Sequence, residues 1–481
     1  MQEKNYTRDG HQYKPVDVEP DQRLLRRISV RENEGVKAVV TIPDVLREWE
    51  CNVLDVSSMG FCLESEKPPN VNFEKGQIAE IGLLCQANCY QFTCTVCHVS
   101  TTNKGRQRVG LRRSGVSNAG ELLPYPLQQI SMPAVTRHPY FYNEDVVVQI
   151  VGISKNHCTV ECNDPEFLVL PSMPMTLSLH IVEQRGNDIE GQVTWVNVLE
   201  TGVMRFGLVI HRMPDKTRKA IARYLFQLQE WKPRELKAMG FEFKRYRSLI
   251  KFRSIQTHNE YSKVLALRRN AYLSVGKIGP ESRDTDLASD LDRKSRIVAA
   301  FHQGRLVGTV SVLFPDCEEM VLDTERAFEK GYPVRMPPKT EMIEIARLCI
   351  APDYRSTDIL WGMFEEIYRI LITSDRKYVV TSTDDRMWTL YRQIGFRKIG
   401  AAYDHPVFRG IEHEVILLHR DSALWGKYIS PFVWGYLYRN MTAYLVSIGV
   451  VQFNPYQRMR ILLNKALFGI YKYAKGITRQ K

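Results

Sequence analysis

Several side chains in this sequence have types and spacings that could do chemistry. Arg23 and Arg27 stand four apart in DQRLLRRISV, and about thirty positions on Asp55, Ser57 and Gly60 form D-x-S-x-x-G in VLDVSSMGFC. Guanidinium forks grip planar acceptors and phosphate oxygens through paired hydrogen bonds, which a lysine point charge does not reproduce. A carboxylate and a hydroxyl accept donor groups, and a glycine lets a turn pass close to a bound molecule. The alternative is structural: Asp55 and Ser57 cap a β-turn while the arginines are solvated. Further along, Glu344 and Arg347 lie in TEMIEIARLCIAPDYRS and Tyr391 in LYRQIGF. Cys94 and Cys97 fall in CYQFTCTVCHV, where a strand would turn them to opposite faces, so packed cysteines are expected there rather than zinc.

The elements that must position these groups are read from periodicity and turn residues. Residues 1–20 are polar and patternless and read as a mobile arm. Over 21–118, runs such as VKAVVTI, QIAEIGLLC and YQFTCTVCHV are separated by turns with no helical period between them, which predicts a small antiparallel barrel. The order repeats over 134–231, where IVGISKNHCTVE matches VLDVSSMGFCLE and RFGLVI matches RVGLRR. In this second copy Gly152, Ser154 and His157 replace the Asp-Ser-Gly set and no arginine pair precedes them, so a barrel that packs or transmits is expected. A helix at about 215–231 closes it, 232–250 is a basic linker, and 251–421 alternates helical and strand periods as a mixed α/β domain does.

A length of 481 residues suits several domains, and 44% hydrophobic with 25% charged residues is ordinary for a globular protein. The ten cysteines are scattered and MQEKNYTRDG lacks the apolar run that export requires, so reduced cytoplasmic thiols are expected. The net charge of +12 concentrates at 422–481, which has nine Lys and Arg and no Asp or Glu. There Tyr456, Met459, Leu463, Leu467, Ile470 and Ala474 recur at helical spacing beside Arg458, Lys465 and Lys472. This basic amphipathic tail suits an acidic partner, acyl carrier protein or the anionic headgroups of the inner membrane, or else has no specific partner. No module for reading nucleic acid is recognisable.

With its arginine pair, its D-x-S-x-x-G turn and its closing RVGLRR strand, the segment 21–118 resembles the PilZ domain, the bacterial receptor for cyclic di-GMP. The resemblance implies that Arg23 and Arg27 clamp the guanine edges and phosphates, while Asp55, Ser57 and Gly60 shape the surface beneath. Residues 134–231 then resemble a degenerate PilZ-like barrel.

The string EIARLCIAPDYRS…LWGMFEEIYRIL followed by YRQIGF resembles the GNAT acyltransferase core. Arg355 is followed by STDILW, without the glycines that let backbone amides hold a coenzyme A pyrophosphate. The branch that fits better is the long-chain N-acyl amino acid synthases of the FeeM type, related to autoinducer synthases, which usually carry an arginine near the position of Ser311. The resemblance implies an acyl group taken from acyl carrier protein and passed to the amine of an amino acid or related small amine. Glu344 could take the amine proton, directly or through water, or could orient Arg347; a Glu344–Arg347 ion pair is the structural alternative. Tyr391 could protonate the leaving thiolate or simply pack. Amides flanking Cys349 and Ile350 could hold the oxyanion, with Arg355 nearby, and Arg269 and Asp292 could shape the acceptor end. The expected fold is two small antiparallel β-barrels, an α/β acyltransferase domain and the helical tail. The expected function is N-acyl transfer governed by cyclic di-GMP. The rival is a non-enzymatic receptor like the tandem-barrel flagellar brakes, its third domain kept for interaction or for peripheral membrane association.

Overall fold

The computed structural model describes residues 28–30, 36–43, 47–65, 73–85, 88–114, 128–139, 145–164, 167–181, 188–199, 201–228, 231–317, 319–330, 335–405, 408 and 410–477. Arg23 and Arg27 lie outside them. The chain divides into two units, one of Met1–Tyr224 with Met239–Phe241 and one of Leu225–Ala238 with Glu242–Lys481.

The first unit begins with strands β1 (Ile28–Ser29), β2 (Val36–Ile42), β3 (Arg47–Ser57), β4 (Gly60–Ser65), β5 (Ile78–Cys85), β6 (Asn88–Thr101) and β7 (Gln107–Arg113). Six of them run round in the order β3-β2-β5-β6-β7-β4, and β4 returns to β3. Period-two alternation drives the closure: Val36, Ala38, Val40 and Ile42 point inward from β2, as do Ala79, Ile81 and Leu83 from β5. Cys94 is buried and Cys97 exposed, on opposite faces of β6, and burial pushes the Cys94 thiol up to about 12.

At the β3–β4 hairpin Ser57 pairs with Gly60. The Ser57 hydroxyl donates to the Gly60 carbonyl at 3.3 Å and accepts from the Met59 amide at 3.4 Å. A Cβ on Gly60 would lie 2.1 Å from the Leu111 carbonyl oxygen, so glycine is required here by the approach of β7. Strand β1 lies outside the closed ring, with Ile28 opposite Val56 and Ser29 opposite Asp55.

The second barrel contains β8 (Gln128–Arg137), β9 (Asp145–Ile153), β10 (His157–Cys162), β11 (Pro174–Leu179), β12 (Asp188–Val198) and β13 (Met204–Arg212). Its closed order, β10-β13-β12-β11-β8-β9, matches the first barrel strand for strand. Its first strand starts at Gln128, ahead of the boundary at 134 expected from the sequence. Ser154 repeats the part of Ser57, accepting from the His157 amide at 3.1 Å. The barrels meet where the Ser58 hydroxyl accepts from the Val169 amide at 2.9 Å and Arg113 donates to the Val196 carbonyl at 3.3 Å.

Helices α1 (Asp215–Leu228) and α2 (Pro233–Ala238) precede the α/β sheet. That sheet holds β14 (Lys251–Ser254), β15 (Ser295–His302), β16 (Arg305–Leu313), β17 (Met342–Ile350), β18 (Tyr378–Thr383), β19 (Arg397–Asp404) and β20 (Glu412–His419). The order is β14-β15-β16-β17-β18-β20-β19, and only β17 and β18 run parallel. Helices α3 (His258–Leu273), α4 (Ile359–Thr373) and α5 (Asp385–Gln393) connect the strands. Continuous apolar burial along LVGTVSVL of β16 and MIEI of β17 is what a strand covered on both faces shows.

The tail forms α6 (Arg420–Leu424), α7 (Pro431–Leu437), α8 (Arg439–Ser447) and α9 (Pro455–Ile477). Trp434 of α7 is fully buried and donates from its indole to the Leu424 carbonyl at 2.8 Å. Helix α9 packs through Ile461, Asn464 and Phe468, and a Cβ on Gly435 would meet the Phe468 ring at 2.2 Å. The helical period expected from the sequence is present, but the apolar stripe read from it is the exposed face: Met459, Leu463 and Ile470 are open to solvent.

Candidate active site

Where the parallel strands β17 and β18 stop pairing, the sheet opens. Their register ends at Glu344 opposite Val380, yet β17 continues to Ile350 and β18 to Thr383. On its other edge β17 bulges: Ala346 faces Ser311 and Cys349 faces Thr309, so Arg347 and Leu348 together oppose Val310. Arg347 has φ 56°, a left-handed conformation that is costly for a residue with a Cβ and that marks sites where the backbone is re-aimed. Along a regular strand, residues three apart face opposite sides. The bulge turns Glu344 and Arg347 toward one cavity of about 560 Å³, lined as well by Ile345, Ala346, Leu348 and Thr381–Asp384.

Glu344 is fully enclosed. One of its oxygens accepts from the Thr324 amide at 2.8 Å and the other from the Asp323 amide at 3.1 Å, at the start of the short helical turn Asp323–Lys330. Burial, with the Asp323 carboxylate adding to it, raises the Glu344 carboxyl from its ordinary 4.5 to about 7 against those two amides. Arg347 donates to the Asp323 carboxylate at 2.8 Å. The ion pair weighed for Glu344 and Arg347 is thus replaced by a shared partner, Asp323, which gives its amide to one and its carboxylate to the other. Tyr391, on α5, also lines the cavity, packed edge-on against Phe364 and Phe396 with ring centroids 5.9 and 5.2 Å away. Burial lifts its phenol far above the usual range, so it keeps its proton.

The remaining sequence-selected residues fall elsewhere. Asp292, expected at the acceptor end with Arg269, is buried, does not line the cavity, and pairs with Arg268. The Arg268 fork reaches its two oxygens at 2.6 and 3.0 Å, with Ser311 at 3.0 Å and Tyr261 at 3.0 Å completing the network. Burial alone would raise the Asp292 carboxyl, but the Arg268 fork holds it below its ordinary value. One position along the helix turns Arg269 outward, where it donates to the Pro280 carbonyl at 3.1 Å. Arg355 donates to the Ala271 carbonyl at 2.8 Å, and neither arginine lines the cavity. Cys349 packs with Leu267, Ala271 and Tyr272, its thiol pushed up to about 12 by burial. Cys349 and Ile350 are back in register with β16, and the part of β17 that lines the cavity is Glu344–Leu348.

Several lining residues were not singled out from the sequence. Lys277 pairs with Asp384 at 2.8 Å, and the Asp384 side chain caps α5 through the Met387 amide at 3.1 Å. His405 and His413 flank the β19–β20 hairpin with ring centroids 4.7 Å apart. Burial lowers their imidazoles to about 3 and about 4, so both are neutral at pH 7. Ser382 lies 2.8 Å from the Tyr403 hydroxyl and 3.4 Å from His413 Nδ1. Arg326 is an exposed cation at the rim. Tyr403 and His413 sit opposite each other in the strand register, and that pairing across YDHP…IEHE is the one signal that could have found the histidines. Among the described residues, no group of three or more His, Cys, Asp or Glu is placed to hold a metal ion.

The sequence model of the family "N-acyl amino acid synthase FeeM" matches residues 263–421. A comparison with curated proteins found no match. Among solved structures, FeeM, an N-acyl amino acid synthase from uncultured soil microbes, is similar at 16% identity and TM-score 0.29, over 36% of this chain and 93% of that one. A CoA-dependent acyl-homoserine lactone synthase, MesI, is similar at 16% identity and TM-score 0.27, over 36% and 88%. Escherichia coli ElaA is similar at 13% identity and TM-score 0.26, over 35% and 99%. On the family match, the domain within 263–421 is an N-acyltransferase.

Proposed function

We propose that this domain moves a long-chain acyl group from acyl carrier protein to the amine of an amino acid or related small amine, and that cyclic di-GMP bound by the first barrel regulates it. The observation that carries the catalytic part is Glu344, an enclosed carboxyl raised to about 7, beside a strand bulge in a cavity of about 560 Å³. N-acylation needs a neutral amine, a polarised thioester carbonyl and a protonated leaving thiolate. The amine attacks the thioester carbon and its proton passes to Glu344, directly or through water. Amides of the Arg347–Leu348 bulge hold the oxyanion. As the C–S bond breaks, the Tyr391 phenol relays a proton to the thiolate, replaced by the proton that left the amine, so that phenol and carboxylate both return to their starting states. Arg326 at the rim suits an acceptor that carries a carboxylate.

The choice of donor is supported by the start of α4. Asp358 stands at that helix N-terminus, its carboxylate accepting from the Arg247 amide at 3.0 Å. A fixed anion there opposes a pyrophosphate, which favours a carrier-protein thioester over coenzyme A. The regulatory part is supported by β1: the strand that follows Arg27 pairs beside Asp55. Arg23, Arg27 and Asp55 are then the ligand contacts, with Ser57 and Gly60 holding the turn in shape.

Two measurements test this reading. Palmitoyl-acyl carrier protein should be consumed at least about tenfold faster than palmitoyl-coenzyme A with an amino-acid mixture as acceptor, and equal use of both would remove the carrier protein as donor. In calorimetry, Arg23→Ala and Arg27→Ala should each weaken cyclic di-GMP by about 1–3 kcal/mol if they grip guanine in bidentate fashion. Unchanged affinity in both, and in Asp55→Ala, would remove the receptor assignment.

A further inference from the structure

The face that α9 turns away from its own unit has no role in acyl transfer. Thirteen of the eighteen large hydrophobic side chains exposed among the described residues lie between Tyr428 and Tyr473. On α9 the packing side is Ile461, Asn464 and Phe468, and Met459, Leu463, Ile470 and Tyr473 lie opposite it, each more than half exposed. An ordinary surface helix puts its apolar stripe inward and its charges outward. Here the helix has two apolar stripes, one buried and one open.

Charge says what covers the open one. Residues 422–481 contain nine Lys and Arg and no Asp or Glu. On α9, Arg458, Lys465 and Lys472 repeat every seventh residue, exposed along the edge of the packed stripe, where Lys472 Nζ stands 5.4 Å from the Phe468 ring. Long cationic side chains flanking an apolar stripe can lay their stems along it and keep their heads at a polar, anionic layer. A second copy of this chain would instead bring cation against cation. No helix among the described residues is long and apolar enough to cross a membrane, so α9 would lie in the interface plane. Tyr456 and Tyr473 add rings suited to headgroup depth.

We infer that the open face of α9 docks on an anionic lipid bilayer, with Met459, Leu463 and Ile470 entering the acyl boundary and Lys465 and Lys472 reaching the headgroups. The inference stands apart from the acyltransferase chemistry, since none of these residues lines the active-site cavity.

The test is flotation of the full chain with vesicles of phosphatidylcholine alone, or with about a quarter phosphatidylglycerol. A basic residue near such a surface multiplies partitioning about fivefold, and each methylene inserted about fourfold. Wild type should therefore favour the anionic vesicles at least about tenfold, less so at high salt. Met459→Ser/Leu463→Ser/Ile470→Ser should lose at least about tenfold in partitioning, and so should Lys465→Glu/Lys472→Glu. Both variants change exposed side chains and should keep wild-type acyl transfer in solution, which separates failure here from failure of the enzymatic reading. Equal partitioning of wild type and both variants would overturn the inference. So would a wild-type dimer that the apolar variant turns into monomer without any vesicle binding, or saturable binding of acyl carrier protein by this face in place of vesicles.

Discussion

The Glu344 carboxyl, enclosed by protein, is raised above its ordinary value because burial outweighs the hydrogen bonds that favour its charged form. Burial and the Asp323 charge raise it, the amides of Asp323 and Thr324 lower it, and the balance falls at about 7. As a base it works deprotonated, so kcat/KM should rise with pH through about 7, and Glu344→Gln should lose at least about a hundredfold, the scale of general-base catalysis. The same shift has a stability signature. Between 4.5 and about 7 the folded chain holds a proton that the unfolded chain has released, so the contribution of Glu344 to stability declines as pH rises across that window and stays low above it. Glu344→Gln should therefore gain in Tm relative to wild type at pH 8 compared with pH 4.5. A difference that runs the other way would mean a carboxylate that is stabilised, and a purely structural cap on the Asp323 turn. For Asp292 the expectation is structural: Asp292→Asn leaves Arg268 charged and buried and should cost about 3–5 kcal/mol, read by chemical denaturation.

At the scale of elements, the bulge in β17 decides what the site contains. A bulge that left the left-handed φ of Arg347 to glycine would lose the Asp323 ion pair but not the turn. Arg347→Gly should hence be more stable than Arg347→Val by about 1–2 kcal/mol, because a β-branched residue resists that φ. Equal stability would show that the backbone relaxes. What was legible in the sequence follows the same physics. A small antiparallel barrel could be read because period-two alternation is local, and the repeat because VLDVSSMGFCLE and IVGISKNHCTVE keep the same turn-forming serine. Glu344, Arg347 and Tyr391 were found through motif strings, and all three line one cavity. Arg269 was singled out for the acceptor end where its neighbour Arg268 is the buried one, because the two are alike in type and only helix phase separates them. His405 and His413 come together by strand pairing over a hairpin, which single-sequence spacing does not express. On α9 the period was visible but not the face, since two apolar stripes with cations at the edge of one leave the direction of packing to the neighbouring helices.

For the whole molecule, the receptor role proposed for the first barrel makes sense on one chain with a catalyst if their equilibria are linked. Coupling of 1–3 kcal/mol is typical, so saturating cyclic di-GMP should change the rate of N-acyl product formation about 5–150-fold, and Arg27→Ala should move the response to about 5–150-fold higher nucleotide without changing the basal rate. Identical rates with and without the nucleotide would leave two modules that share a chain and no switch. The most direct measurement comes before regulation. Purified full-length protein, palmitoyl-acyl carrier protein and a mixture of amino acids, followed by mass spectrometry, should yield an N-palmitoyl amino acid with wild type and at least about a hundredfold less with Glu344→Gln. No product from folded wild type, or the same yield from both proteins, would contradict an N-acyltransferase that works through this carboxylate.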